Sequence, residues 1–167
     1  RWAVSLLTTN EMADAWLAAE RNLGRALTDL LLSAGRRHSA DALVFPLERI
    51  QAALEPRSAL IGWLDSGGKP GARTSWGYVI RDTGPVEWAR LADTRVGEDR
   101  IRSYRDNLAT VNSFRALMEQ DAHYFWKERI NPLENALHGV RELYVIPSGR
   151  MLGLPVETFM DDGGRLL

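Results

Sequence analysis

Cysteine is absent from this chain of 167 residues. That excludes disulfides, thiolate metal sites and a cysteine nucleophile within these residues, and it is compatible with a reducing, cytoplasmic setting. An excess of charge of either sign is also missing. The 21 basic and 22 acidic side chains leave a formal net charge of -1, so nothing points to a nucleic-acid or anionic-membrane partner. No run of about 18 apolar residues occurs, so no transmembrane helix is expected, and no signal-peptide pattern is visible. Histidine is scarce. His38, His123 and His138 show no HExxH pattern and no two of them stand at ligand spacing, so neither a metal nor another cofactor is indicated. What the chain does have is 45% hydrophobic residues, enough for a real core in one domain of ordinary size.

The order of elements is read from period and punctuation. Met12, Trp16, Ala19, Leu23, Leu27, Leu30 and Ala34 recur at intervals of three and four, predicting a helix from Glu11 to about Gly35 with Asn10 as N-cap. After a connector at 39–45, Pro46 suits the first turn of a short helix over Leu47–Leu54, ended by Glu55-Pro56. Ser58–Leu64, Thr74–Arg81 and Val86–Leu91 read as strands separated by the Gly-rich loop Ser66–Ala72 and the turn Asp82-Thr83-Gly84-Pro85. Three such runs joined by turn signals predict an antiparallel meander. Helical spacing resumes near Val96, through Ile101, Tyr104, Leu108, Val111, Met118, Ala122, Phe125 and Ile130, with Phe114 and Leu117 filling in. Asn131 is expected either to cap a new helix with Pro132 at its first position, or to mark a kink. The strand Glu142–Ile146 follows. The stretch from Leu91 to Leu143 is long enough to cross over and add that strand in parallel. The fold class is therefore α/β: N-terminal helices, a three-strand antiparallel meander, a long helical crossover, and a strand entering a mixed sheet.

Candidate chemistry is sparse. Lys69 in SGGKPGARTS invites a phosphate-loop reading, but GxxxxGK[ST] is absent and no helix follows, so a hairpin loop is expected. His123 has Glu119 and Lys127 one helical turn away on either side, the pattern of surface charge pairing. His38 and His138 fall near predicted helix C-termini, where a cation is favoured. Trp16, Trp63, Trp76, Trp88 and Trp126 fall on predicted helices and strands and read as core anchors. Ser148 follows a strand and precedes Gly149, yet the G-x-S-x-G context of a nucleophile elbow is missing, so it reads as a turn serine. Glu157 stands beside an apolar patch, where a structural salt bridge is the expected role. No nucleophile–base pair can be assembled, and no catalytic, cofactor or metal residue is assigned.

The stretch that organises the chain is Leu143–Phe159, LYVIPSGRMLGLPVETF. With its continuation to Leu167 it resembles the hallmark segment of CHAT domains, caspase- and separase-like cysteine peptidase domains often found behind tetratricopeptide repeats. That family's usual wording is close to L-x-I-V-P-D-G-x-L-H-x-L-P-F-E-A-L. Val145, Ile146, Pro147, Gly149, Leu152, Leu154, Pro155 and Glu157 fit it in order, and residues 161–167 fit the following turn and strand start. ERIQAALEPRSALIGWL is similar to the family's helix-then-strand entry, and WKERINPLENAL to the end of its long helix. The likeness covers roughly Leu47–Leu167. Three positions depart from it: Ser148 stands where Asp is usual, Gly153 where His is usual, and Val156 where Phe is usual.

The resemblance implies that the catalytic His and Cys follow later strands of a caspase-like sheet, downstream of this chain. Residues 1–45 would then be a helical linker, the tail of an upstream repeat region, and residues 46–167 the N-terminal part of the domain. Its implied partners are the C-terminal catalytic half of the same protein, a tetratricopeptide-repeat region upstream, and a protein substrate or activator. The start at Arg1 and the end at Leu167 fit a piece of a longer, cytoplasmic protein. If Leu143–Ile146 is an inner strand of a larger sheet, the piece alone exposes an edge.

Overall fold

The structure is a computed structural model, and it describes residues 3, 6, 7, 14–21, 45–66, 74–91, 98–109 and 115–167. In chain order its named elements are α1 (Leu47–Gln51), β1 (Ser58–Asp65), β2 (Ser75–Arg81), β3 (Glu87–Leu91), α2 (Glu98–Ala109), α3 (Arg115–Arg129), α4 (Glu134–Leu137) and β4 (Glu142–Ile146). Residues 14–21 are also helical.

The strands form one mixed sheet in the order β3-β2-β1-β4. β1–β2 and β2–β3 pair antiparallel, as turn-punctuated runs should, and β4 pairs parallel to β1 with Ser58 opposite Glu142 and Gly62 opposite Ile146. The expected meander and parallel addition are both present. β1 and β2 are apolar on nearly every residue because helices cover both faces of the sheet. On one face Ala59, Ile61, Trp63 and Val79 pack with Phe125, Ile130 and Leu133. On the other, Tyr78 and Ile80 pack with Trp16, Trp88 and the apolar side of α1. Tyr78 stands opposite Gly62 in the register, and its ring occupies the space a Cβ at Gly62 would need.

Two local devices place β4. Arg57 has φ 68, in the left-handed region, and its carbonyl accepts from the Arg141 N–H at 2.8 Å, at the start of the parallel pair. Arg81 donates to the carbonyls of Ala136 at 3.3 Å and His138 at 3.1 Å, which ties the end of α4 to the sheet. Among the described residues no strand pairs with the outer side of β4, and Tyr144 in its middle is 43% exposed. After β4 the chain returns under α2 and α3. Phe159 is fully buried and stacks on Phe125 with centroids 5.4 Å apart. Met160 then bridges antiparallel to Leu166 around a turn held by Asp161.

Several expectations need correction. The short helix ends at Gln51 and continues only as turns, so its span is less than Leu47–Leu54. Asn131 is not an N-cap: Ile130 takes that place, and Asn131–Leu133 is a 3-10 turn running directly into α4. Pro132 supplies no N–H for an α-helical bond, which the tighter turn accommodates at its start. Leu117 does not fill the apolar stripe; it is 50% exposed. The Asn10 cap, the helix beyond residue 21 to Gly35, His38, Lys69 in the Gly-rich loop, and the helix start at Val96 lie outside the described residues.

Candidate functional site

The organising stretch leaves β4 at Ile146 and turns over the carboxyl ends of the two parallel strands. Ser148 is still extended, with φ -143, and precedes the 3-10 turn Gly149–Met151. Gly149 has φ +54, and a Cβ there would stand 2.5 Å from Oδ2 of Asp65. Glycine is required at that position twice over, for its conformation and for the close approach.

Asp65, the last residue of β1, is the hub of this junction. Its Oδ1 accepts from the Ser75 hydroxyl at 2.5 Å and faces the Arg129 guanidinium at 3.4 Å. Its Oδ2 accepts from the backbone N–H of Arg150 at 2.9 Å. One carboxylate thus joins β1, β2, the end of α3 and the turn after β4. The Ser148 hydroxyl donates to the Trp63 carbonyl, and the Trp63 indole N–H donates to the Arg129 carbonyl at 3.2 Å. Arg129 is 1% exposed. Burial pushes its guanidinium below the ordinary arginine range, the Asp65 carboxylate opposes that shift, and the Arg150 charge adds to it. A buried cation persists in a fold only when paired, and Asp65 supplies a counter-charge at 3.4 Å.

In open α/β sheets the crevice at the carboxyl ends of parallel strands is the usual ligand position. Here Asp65, Ser75, Arg129 and Ser148 at that position are committed to other protein groups. The Ser148 proton is donated to a carbonyl, and neither described histidine is its partner. His123 Nε2 lies 3.2 Å from Asp162 Oδ1, beside the terminal hairpin. His138 caps the end of α4, as its position near a helix C-terminus suggested. The arrangement can hold a turn rigidly, and it assembles no nucleophile with a base.

Glu157 requires a correction. It is exposed on the 3-10 turn Val156–Thr158 and makes no salt bridge among the described residues. The core position in that turn belongs to Val156, which is 3% exposed. Trp63 is a fully buried anchor and Trp16 is buried, whereas Trp76, Trp88 and Trp126 are half-buried. Sequence reasoning missed Asp65 and Arg129. A signal for Arg129 existed: it follows Ala122 and Phe125 at helical spacing, and both of those are buried. Asp65 offered only a polar end to an apolar strand.

Two open concavities flank the sheet. A groove of about 500 Å³ beside β4 is walled by apolar Trp126, Leu137 and Leu143 and by charged Glu134, Arg141 and Arg165. A cleft of about 380 Å³ opens on the opposite layer, between Trp16 and Val86. Among the described residues no helix is long and apolar enough to cross a membrane. No family model, curated protein or solved structure matches this chain.

Proposed function

We propose that this chain is the non-catalytic N-terminal part of a CHAT-domain cysteine peptidase, whose full-length parent hydrolyses peptide bonds in protein substrates through a downstream His and Cys. The observation that carries the reading is the placement of the hallmark strand. β4 lies parallel to β1, its carboxyl end is anchored by the Asp65 junction, and its outer side is unpaired among the described residues. A sheet that grows from such an edge by further parallel strands would bury Tyr144 and cover the groove of mixed polarity beside Leu143. The catalytic pair, each member following a later strand, would then stand on the same side as the Pro147–Gly149 turn. There the histidine withdraws the thiol proton, and the thiolate attacks the scissile carbonyl.

In this reading the partners of the chain are its own C-terminal catalytic half, a tetratricopeptide-repeat region upstream, and a protein substrate or activator, in the cytoplasm. The alternative is a CHAT-like interaction scaffold without proteolytic activity. One observation favours it: Gly153 has φ +75, so the histidine usual at that position would be strained here, and this turn has moved away from the family's wording.

Residues 1–167 contain no thiol, so alkylation of the parent can act only elsewhere. The parent is expected to cleave an unfolded protein substrate and to lose that activity after iodoacetamide treatment. A downstream sequence without a His and a Cys, or cleavage indifferent to alkylation, would refute the peptidase reading. Absence of any cleavage by a folded parent would favour the scaffold.

A further inference from the structure

The cleft on the layer opposite the Asp65 junction carries an inference that does not depend on the peptidase reading. Its walls are residues 14–17, the start of α1 with Pro46, and the Pro85-Val86 corner before β3. Trp16 and Val86 form its floor at 3% and 8% exposure, and Trp16 is held edge-on against Tyr78 with centroids 5.4 Å apart. The Phe45 N–H donates to Glu20 at 3.4 Å, which ties the helical stretch to the segment entering α1. The walls therefore come from three parts of the chain but share one core. The volume of about 380 Å³ falls within the range of sites that enclose a ligand group.

Among the described residues the charged lining of the cleft is Asp14 and Glu48; both are exposed, and neither forms a salt bridge with another described residue. The remaining lining is Trp, Leu, Val and Pro. Two carboxylates above low-dielectric walls focus a negative potential into the cleft. The complement of such a site is a long basic side chain, whose methylene stem lies on the apolar wall while its cation stays at the wet rim. An anionic ligand or nucleic acid is disfavoured by the same charges. The Trp16 indole N–H is buried without an acceptor among the described residues. Such a donor is costly to leave unmade.

We infer that this cleft docks a peptide segment of a partner protein that carries an arginine or lysine between apolar residues. The probe is a fluorescein-labelled octapeptide of alternating leucine and arginine, with an alternating leucine–glutamate octapeptide as control, followed by fluorescence anisotropy on the full chain. The arginine peptide is expected to bind saturably, and the Asp14→Asn/Glu48→Gln double variant to weaken binding about tenfold with unchanged circular dichroism. Glu48→Gln alone, at an exposed position on α1, is the second variant and is expected to give about half that effect on a logarithmic scale. Equal affinity of variant and parent, equal binding of the glutamate peptide, or absence of saturable binding would overturn the proposal. Full competition by N-acetyl-arginine amide at the concentration of the peptide would also overturn it, because the occupant would then be a small cation.

Discussion

Asp65→Asn tests the clamp at the ends of β1 and β4. The substitution keeps the shape of the side chain and removes its charge. Arg129, at 1% exposure, then loses the counter-charge facing it. At the observed separation of 3.4 Å, with an effective dielectric of about 20, the pair attraction is about 5 kcal/mol before desolvation. Removing one partner of a buried pair typically costs about 3–5 kcal/mol, because the surviving charge stays buried. Arginine does not relieve that cost by releasing its proton near neutral pH. The Ser75 hydroxyl and Arg150 N–H also exchange a charged acceptor for a neutral one. The expected loss is about 3–5 kcal/mol, a large fraction of the roughly 5–15 kcal/mol that holds a domain together. Urea unfolding followed by tryptophan fluorescence reads it, since Trp63 donates to the Arg129 carbonyl. The Asp65→Asn/Arg129→Met double variant is expected to regain more than half of the loss, because no buried charge remains. A loss below about 0.5 kcal/mol in the single variant would refute the clamp. So would single costs that merely add in the double variant.

Further expectations concern the turn, the tyrosines and the sheet edge. Gly149→Ala, with φ +54 and a Cβ 2.5 Å from the Asp65 carboxylate, should cost about 2–4 kcal/mol, whereas Gly139→Ala, equally left-handed but in open space, should cost only about 1 kcal/mol; equal costs for the two would remove the role given to the close approach. Burial, and then the charge of Glu20, hold the Tyr78 hydroxyl well above its ordinary pKa of 10.0, and burial raises that of Tyr104. The folded chain therefore keeps protons that the unfolded chain releases, so stability should fall as pH rises above about 10. Absorbance at the phenolate band should show Tyr78 ionising only together with loss of near-ultraviolet circular dichroism, and its ionisation in a folded chain would contradict the burial argument. Finally, residues 1–167 alone should self-associate through the β4 edge, and Tyr144→Lys, at a 43% exposed position, should reduce that association without loss of stability. Light scattering that does not differ between the two chains would count against edge pairing.

Much of the architecture was legible in one dimension. Alternation bounded by Asp82-Thr83-Gly84-Pro85 located β2 and β3 to within a residue, because turn residues are chosen by local backbone geometry. The parallel position of β4 followed from the length of the connection, since a short link cannot return a chain to the same end of a sheet. The candidate site was much less legible. Ser148 was recognised as a turn residue, but its acceptor, the Trp63 carbonyl, is far away in sequence. Glu157 was expected to pair and is exposed, because the adjacent Val156 takes the inward position of the 3-10 turn.

The four strands of the sheet follow from the sequence alone, as does the cysteine chemistry these residues cannot perform. Those properties depend on local period, turn preference and residue type. The meeting of Asp65 with Ser75, Arg129 and Arg150 belongs to the assembled fold. A buried charge is tolerable only where its counter-charge arrives from elsewhere in the chain, and that meeting is set by sheet order and register. The same register brings the turn of Leu143–Phe159 against the end of β1, where a Cβ at Gly149 would press on the Asp65 carboxylate.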